Sequence, residues 1–242
     1  MTNLHFLNKI IVTMIIKPKI YIGYDSREKI ASSVCKYSIK KRASINVCIK
    51  YLNRKKLINK KKFKRKEDRL SSTEFTFTRF LVPYLENYKG WSIFCDCDFL
   101  FIDDIKKIFK LADAKYAIMC VKHKYKPKNK MKMDGKKQLI YPRKNWSSLI
   151  LWNCGHPENK KLTKKLVNTE SGKYLHRFGW LKNKYIGEIS KEWNWLVGLY
   201  KSPRDGNPKA LHFTEGGPWF DNYKNTEYAS KWLLEREKYF KK

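Results

Sequence analysis

The 242-residue chain lacks the features that mark several common classes of protein. Its six cysteines form no C-x-x-C pair and lie mostly within apolar runs, which predicts reduced, buried thiols and argues against a disulfide framework. The apolar run at positions 10–16 is too short to span a bilayer, and no transmembrane segment is evident elsewhere. No internal repeat, zinc finger, helix-turn-helix pattern or basic zipper is visible. We therefore expect a soluble, cytoplasmic, globular protein.

Acidic residues are scarce, because 22 Asp and Glu stand against 54 Lys and Arg and give a formal net charge of +32. A field of this sign attracts polyanions such as nucleic acids, anionic lipids and phosphorylated small molecules. The alternative is a general bias toward lysine, which is scattered along the whole chain. With 42% hydrophobic and 15% aromatic residues, the sequence is rich enough in apolar side chains to fold around one core.

One apolar stretch, at positions 93–102, is interrupted only by Asp96 and Asp98. Burying a carboxylate without a compensating cation or hydrogen-bond donors is costly, so we expect the pair at the surface end of an interior strand. Side chains two positions apart on an extended chain point the same way, which brings both carboxylates to one face. Such oxygens suit Mn²⁺ or Mg²⁺, whose coordination is often completed by substrate phosphates. The alternative is a solvated strand end, since D-x-D is common by chance.

A second informative segment, at positions 211–219, places His212 at the end of a short strand and a pair of glycines shortly after it. A neutral imidazole can add a nitrogen ligand to a Mn²⁺ already held by two carboxylates. Gly216 and Gly217 would allow the backbone to approach a phosphate closely. The alternative is a hydrogen-bonded structural histidine before a turn.

The remaining hydrophobic patterns alternate between strand and helix. Besides the acidic stretch, strands are predicted at 19–23, 45–52, 116–121, 147–152 and 209–213, and helices at 27–41, 72–88, 105–111, 158–167 and 226–239. Such alternation indicates an α/β protein with a mostly parallel central sheet flanked by helices. A polar, lysine-rich segment at 123–145 has little periodicity and is expected to form a functional flap.

Several motifs, taken in order, resemble the nucleotide-sugar-dependent glycosyltransferases of the GT-A type. They are Tyr24-Asp25 after the first strand, Arg79 on a helix, the D-C-D at a strand end, and the late H-F-x-x-G-x-P-W. The chain is most similar to the glycogenin and lipopolysaccharide galactosyltransferase-like family, glycosyltransferase family 8. The resemblance implies one Rossmann-like GT-A domain at 18–222, a basic amphipathic helix at 223–242 and an N-terminal extension at 1–17.

The resemblance also implies an enzyme, and it assigns roles to residues. The enzyme would move a sugar from a nucleotide donor, expected to be a UDP-sugar, to a hydroxyl acceptor such as a glycan or a lipid-linked saccharide. Mn²⁺ or Mg²⁺ would be held by Asp96, Asp98 and His212. The donor would be bound by Tyr24 on the base, Asp25 on the ring or ribose, Arg79 near the diphosphate, and Gly216 and Gly217 along it.

Three departures from the family pattern leave parts of the site open. Gly217 stands where the family has a lysine that neutralises a phosphate. The family's Asn-Ala-Gly strand aligns either with positions 146–148 or with 153–155. The acidic pair that usually follows in the family is blurred, with Glu188 and segment 192–194 as rival candidates. The acceptor hydroxyl would lose its proton to a carboxylate base, Glu192 in our primary interpretation with Glu188 and Asp221 as alternatives, or with help from the departing phosphate. Arg79 has a simpler alternative role as a partner of Glu74 or Glu86 on its own predicted helix.

Partners and competing functions follow from the same charge and motifs. The basic, aromatic C-terminal stretch is typical of a helix that contacts an anionic membrane surface, so peripheral attachment to the inner face of a membrane is an expectation. No specific nucleic acid is expected. The alternatives are a basic nucleic-acid-binding protein and a metal-dependent phosphohydrolase, although five scattered histidines supply few ligands for the latter.

Overall fold

The computed structural model describes residues 17–66, 71–124 and 142–242. The predicted N-terminal extension, apart from its last residue, and most of the predicted flap at 123–145 lie outside these ranges. The described strands are β1 (Lys19–Tyr24), β2 (Cys48–Asn53), β3 (Trp91–Cys95), β4 (Phe99–Phe101), β5 (Ile118–Cys120), β6 (Leu149–Asn153), β7 (Ile186–Glu188), β8 (Trp195–Leu196) and β9 (Ala210–His212).

Six of these strands form a central sheet in the order β2-β1-β3-β6-β5-β7. The pairs β1–β2, β1–β3 and β5–β7 are parallel, whereas β6 runs antiparallel to both of its neighbours. The central strands are buried on both faces, as their near-continuous apolar sequences require. The predicted α/β class with a mostly parallel sheet, flanked by helices in a single domain, is confirmed.

A smaller sheet has the order β4-β9-β8, with β9 antiparallel to β4 and parallel to β8. The apolar stretch that we predicted to be one strand therefore crosses from one sheet to the other. Its first half is β3 in the central sheet and its second half is β4 in the small sheet. Local hydrophobicity does not distinguish the two halves, because what separates them is the partner strand that each one meets.

The described helices are α1 (Lys29–Arg42), α2 (Arg54–Asn59), α3 (Val82–Leu85), α4 (Lys106–Phe109), α5 (Lys164–Thr169), α6 (Gly172–His176) and α7 (Ala229–Phe240). The prediction of one helix over 72–88 is wrong. That segment contains turns, a 3₁₀ turn at Thr78–Leu81 and the short α3, whose first turn accepts Pro83 because the first turn of a helix needs no backbone donor. The predicted helix at 158–167 is likewise a 3₁₀ turn at Pro157–Lys161 followed by α5, which Thr163 caps.

Helix α1 shows why these segments fold as they do. Its buried residues recur at helical spacing, with Val34, Cys35, Ser38 and Ile39 inward and the lysines outward. It packs against β4 and β1 and against the C-terminal helix α7. Helix α1 is therefore shared between the small sheet and the end of the chain.

A buried ion pair joins α7 to α1. The Glu235 carboxylate accepts two hydrogen bonds from the Arg42 guanidinium, at 2.8 and 3.0 Å, and lies 3.6 Å from Lys41 Nζ. Burial alone would raise the pKa of Glu235, but Arg42 and then Lys41 hold it below its ordinary value. The pair therefore stabilises the docked helix whenever Glu235 is ionised.

We predict that Glu235→Ala lowers the free energy of unfolding by about 2 kcal/mol at neutral pH, because a bidentate, charge-assisted pair is lost and Arg42 is left half-buried. The matched control is Glu237→Ala on the exposed face of the same helix, which should change stability by no more than about 0.5 kcal/mol. Urea unfolding followed by far-UV circular dichroism measures both.

The difference in stability between wild type and Glu235→Ala should also depend on pH. Because the folded pKa of Glu235 lies below its ordinary value of 4.5, its contribution is complete above that pH and is lost as the pH falls through the folded pKa. The gap between wild type and Glu235→Ala should therefore shrink on acidification. A gap that is constant between neutral pH and about pH 3 would contradict this account.

Candidate metal centre

The D-C-D segment lies where the chain passes between the two sheets. The Asp96 amide donates a 2.9 Å hydrogen bond to the Ser148 carbonyl beside the central sheet, and the Asp98 carbonyl accepts one of 3.0 Å from the Phe213 amide beyond β9. In the small sheet Phe99 is paired with His212, and the two rings stack with their centroids 4.4 Å apart. Pairing of β4 with β9 therefore brings the histidine to the acids.

The three side chains converge as a metal site requires. One ligand atom from each of Asp96, Asp98 and His212 lies within 4.8 Å of the others. His212 is almost fully buried, and its Nε2 is 3.3 Å from Asp98 Oδ2. Residues more than a hundred positions apart in the sequence thus meet at one point of the fold.

Arg79 supplies positive charge to this cluster. Its Nη1 donates to Asp96 Oδ1 at 2.7 Å and to the Ser147 carbonyl at 2.8 Å. The guanidinium is buried and lies over the ring of Phe94. The simpler alternative, a pair with Glu74 or Glu86, is wrong, because Glu86 pairs with Lys19 and Tyr21 and Glu74 accepts from Ser26.

The electrostatics of the cluster favour a bound cation. Burial, together with the nearby Asp98 carboxylate, raises the pKa of Asp96 to about 7 against the lowering effect of Arg79. Asp98 Oδ1 is closed to solvent and has no hydrogen-bond partner among the described residues. An unsatisfied buried carboxylate oxygen is expensive unless a proton or a metal ion approaches it. Two carboxylates and one imidazole are a donor set that suits Mn²⁺, so the residues fit a divalent ion.

A further buried acid, Glu28, was not anticipated from the sequence. It lies at the end of a 3₁₀ turn at Ser26–Glu28, where its Oε2 accepts a 3.2 Å hydrogen bond from Trp219 Nε1. Burial and then the nearby Asp98 raise its pKa to about 8. The turn after β1 is thereby linked to the loop after β9. The sequence signal is weak, since S-R-E-K also matches a solvated helix start.

The predicted donor residues Tyr24 and Asp25 lie at the end of β1. The Tyr24 ring is half-buried and packs against Tyr51, with the centroids 5.7 Å apart. Asp25 is fully buried and accepts from the Arg27 amide and guanidinium and from the Glu74 amide. Burial would raise the pKa of Asp25, but the Arg27 contacts lower it below its ordinary value. Its carboxylate is therefore engaged within the protein.

The glycine pair is dictated by close packing. Gly216 has φ of +132°, in the region that favours glycine, and a Cβ there would lie 2.8 Å from the Tyr223 ring. At Gly217 a Cβ would lie 2.0 Å from the Trp219 ring, which itself packs on Phe213 and Trp232. Trp219 thus covers the loop that follows His212, and no larger residue than glycine fits beneath it.

The structure also separates the rival alignments. Segment 146–148 adjoins the acids, since Ser147 and Ser148 bond Arg79 and Asp96, whereas Asn153 is paired with Trp91 at the opposite end of β3. In segment 192–194 the residue that reaches the cluster is Asn194, whose Oδ1 is 2.8 Å from His212 Nδ1. Glu192 instead pairs with Lys209 Nζ at 2.6 Å, and this bond, then one from the Asn207 amide, lowers its pKa.

The fold defined by these elements is that of the GT-A-type glycosyltransferases. It is similar to the bifunctional glycosyltransferase WbbM, with a TM-score of 0.64 and 13% identity over 93% of this chain, and to the glycosyltransferase GlyE of Streptococcus pneumoniae TIGR4, with a TM-score of 0.61 and 12% identity over 91%. The chain spans 51% of WbbM and 60% of GlyE. The galactosyltransferase LgtC, solved with donor and acceptor sugar analogues, has a TM-score of 0.53, 13% identity and coverage of 91% of this chain and 95% of that one.

A closer relationship is visible in the sequence itself. The chain is 52% identical over 227 residues to Protein CDI of Arabidopsis thaliana, a match that covers 92% of this chain and 87% of that protein. The chain belongs to the family of Protein CDI. No family model matches it.

We predict that Gly217→Ala destabilises the protein by about 1–3 kcal/mol, because the added methyl group must displace the Trp219 ring. The matched control is Gly155→Ala, where the nearest heavy atom to an added Cβ would be 3.7 Å away and a substitution has room. Thermal unfolding compares the two, and near-UV circular dichroism reports whether the tryptophan has moved. Equal stability of the two variants would show that the loop adjusts freely.

Proposed function

We propose that the protein is a metal-dependent glycosyltransferase of the family 8 type, which moves a sugar from a nucleotide donor, expected to be a UDP-sugar, to a hydroxyl acceptor. The observation that carries the proposal is the convergence of Asp96, Asp98 and His212 at the junction of two sheets in a GT-A fold. LgtC, which shares this fold, binds donor and acceptor sugar analogues. We assign the transferase function to residues 18–222.

In this proposal Asp96, Asp98 and His212 Nε2 hold Mn²⁺, with Mg²⁺ as the alternative. When bound, the ion would neutralise charge that develops on the diphosphate as the sugar–oxygen bond breaks. Arg79 holds Asp96 in place through a 2.7 Å hydrogen bond. Its positive charge also offsets the repulsion between the Asp96 and Asp98 carboxylates. Because Arg79 is itself fixed by the Ser147 carbonyl, the acid pair is preorganised before any ligand arrives.

The donor would lie across the loops after β1 and β9. The Tyr24 ring would stack on the base, and the backbone at Gly216 and Gly217 would face the diphosphate. Asp25 would contribute by fixing the turn beside Tyr24, because Arg27 and Glu74 already occupy its carboxylate. The hydrogen bond between Glu28 and Trp219 would keep the two loops at a constant separation.

The acceptor hydroxyl must lose a proton as it attacks the sugar. Glu192 is our proposed base, and its bond to Lys209 keeps it ionised and able to accept that proton. Glu188, exposed at the end of β7, and Asp221, whose side chain is 90% exposed and paired with Lys224, are the alternatives.

We predict that Mn²⁺-dependent UDP binding, followed by intrinsic tryptophan fluorescence, is lost in Asp98→Asn, with at least about a tenfold rise in Kd. The control Asp221→Asn removes a carboxylate from an exposed ion pair and should bind UDP as wild type does. Hydrolysis of a panel of sugar nucleotides without any acceptor would then identify the donor.

The competing functions give different results in the same assays. A nucleic-acid-binding protein, which the charge of +32 favours, would bind DNA at moderate salt without metal and would be indifferent to Asp98→Asn. A phosphohydrolase would release inorganic phosphate from simple phosphate esters. Either result, together with absence of UDP binding, would overturn the proposed transferase.

We further propose that α7 contacts an anionic membrane surface. Leu234 and Phe240 are 51% and 67% exposed, and Lys238, Lys241 and Lys242 are exposed around them. Apolar side chains within a basic border are typical of helices that lie in the lipid interface. Among the described residues no helix is long and apolar enough to cross a bilayer. Contact through α7 would be peripheral and would bring the protein to lipid-linked acceptors.

We predict that the protein sediments with phosphatidylserine-containing vesicles but not with pure phosphatidylcholine. Replacing Lys238, Lys241 and Lys242 by glutamine should weaken this binding at least about tenfold, since each lysine near an anionic surface contributes about 1 kcal/mol. Leu111→Ala, which removes an exposed leucine from another part of the surface, is the control. Binding that is equally strong to both vesicle types would contradict an electrostatic attachment.

A further inference from the structure

We propose that Asn194 is a positioning residue that fixes the ring proton of His212 on Nδ1 and leaves the Nε2 lone pair directed at the acid pair. The inference rests on the proposed function only for the identity of the ion that Nε2 binds. It assigns a task to a residue that contacts neither the donor nor the acceptor in that proposal. Asn194 is fully buried and lies between His212 and the start of β6.

The directions of the hydrogen bonds that link Asn194 to its neighbours follow from the Asn145 carbonyl, which can only accept. The Asn145 carbonyl has no proton, so the Ser148 hydroxyl at 2.7 Å must donate to it. Ser148 Oγ therefore accepts, at 2.8 Å, from the Asn194 amide nitrogen. This places Asn194 Oδ1 toward His212 Nδ1, at 2.8 Å, and an amide oxygen can only accept. The proton of a neutral His212 is consequently held on Nδ1.

The proton on Nδ1 also determines what Nε2, the other nitrogen of the imidazole ring, can do. When the proton of a neutral ring is on Nδ1, Nε2 directs its lone pair at Asp98 Oδ2, 3.3 Å away, and cannot donate a hydrogen bond to that carboxylate oxygen. Asp98 Oδ1 also lacks a partner among the described residues. Three electron-rich positions thus lie close together, which is unfavourable unless a proton or a metal ion approaches them. The network of Asn145, Ser148 and Asn194 therefore prepares a nitrogen ligand rather than simply filling the core.

The burial of Asn194 is consistent with a role in selecting the tautomer of His212. A fully buried amide is costly unless both of its ends are bonded, and here both ends are. Outer partners of this kind orient metal-binding histidines and determine which ring nitrogen carries the proton. Leucine has nearly the same size as asparagine but can neither accept from Nδ1 nor donate to Ser148. Aspartate retains the acceptor toward Nδ1 and replaces the amide donor with a second acceptor oxygen and a negative charge.

The first experiment reads the tautomer without any metal. Nitrogen-15 NMR of the imidazole rings in metal-free protein, with the signals of His212 assigned by their loss in His212→Gln, should show Nδ1 protonated and Nε2 unprotonated in wild type at a pH where the ring is neutral. In Asn194→Leu the two tautomers should both be populated. In Asn194→Asp the Nδ1-protonated form should be restored.

The second experiment measures Mn²⁺ affinity by electron paramagnetic resonance of the free ion. Asn194→Leu should weaken binding about 10–100-fold, the usual effect of removing an outer partner of a histidine ligand. Asn194→Asp should bind nearly as well as wild type. The control Asn159→Leu also removes a fully buried amide, one bonded to Trp180 and to the Ala117 and Asn153 carbonyls, and should lower stability without changing the Mn²⁺ affinity.

The outcomes separate this inference from the proposed function. A wild-type His212 protonated on Nε2 would overturn the inference directly and requires no variant. Normal Mn²⁺ binding by wild type together with unchanged affinity in Asn194→Leu would overturn the inference alone. Absence of Mn²⁺ binding by wild type would overturn the proposed function, and the NMR result would still decide the tautomer.

Discussion

The candidate site depends on one crossing of the main chain between two sheets. At residues 96–98 the chain leaves β3 and enters β4, and it is tied to each side by a backbone hydrogen bond, from Asp96 to Ser148 and from Phe213 to Asp98. A strand that stayed in one sheet would place the two acids beside a neighbouring strand, where no partner compensates them. The crossing instead places the acids between the two sheets, and pairing of β4 with β9 brings His212 to the same point.

The chain is strongly basic as a whole, whereas the junction between the two sheets is acidic. The chain as a whole carries +32, yet Asp25, Glu28, Asp96 and Asp98 are gathered within one region of the structure. Arg79 and Arg27 compensate part of this negative charge by direct bonds. A basic surface attracts anionic ligands from solution, whereas the acidic junction suits a cation.

In the sequence the acids and His212 stand out from their surroundings, whereas Arg79 is singled out only by the resemblance to the GT-A glycosyltransferases. A carboxylate in an apolar stretch, or a histidine at the end of a short strand, is improbable without a partner. The division of positions 93–102 between two sheets was not predictable, because both halves are equally apolar and pairing is decided by distant strands. The helix predicted over 72–88 failed for a related reason, since contacts with the core override local propensity. Glu28 has only a weak local signal, and Asn194 lies in segment 192–194 without a distinct role in the sequence. Their hydrogen bonds to Trp219 and His212 reveal both residues.

The acids at this site differ in whether all of their carboxylate oxygens already accept hydrogen bonds from the protein. An acid whose oxygens are all bonded has a structural role, whereas an acid with an unbonded oxygen can bind a ligand. Asp25 is fully buried, but both of its oxygens accept from Arg27 or Glu74, so its environment is complete without any further group. Asp98 is less buried and yet has an oxygen without a partner among the described residues. Depth of burial alone would rank the two acids in the wrong order. The number of hydrogen-bond donors on each carboxylate identifies Asp98 as the acid that can bind a ligand. Burying an unsatisfied carboxylate costs free energy, and a bound ligand would offset that cost.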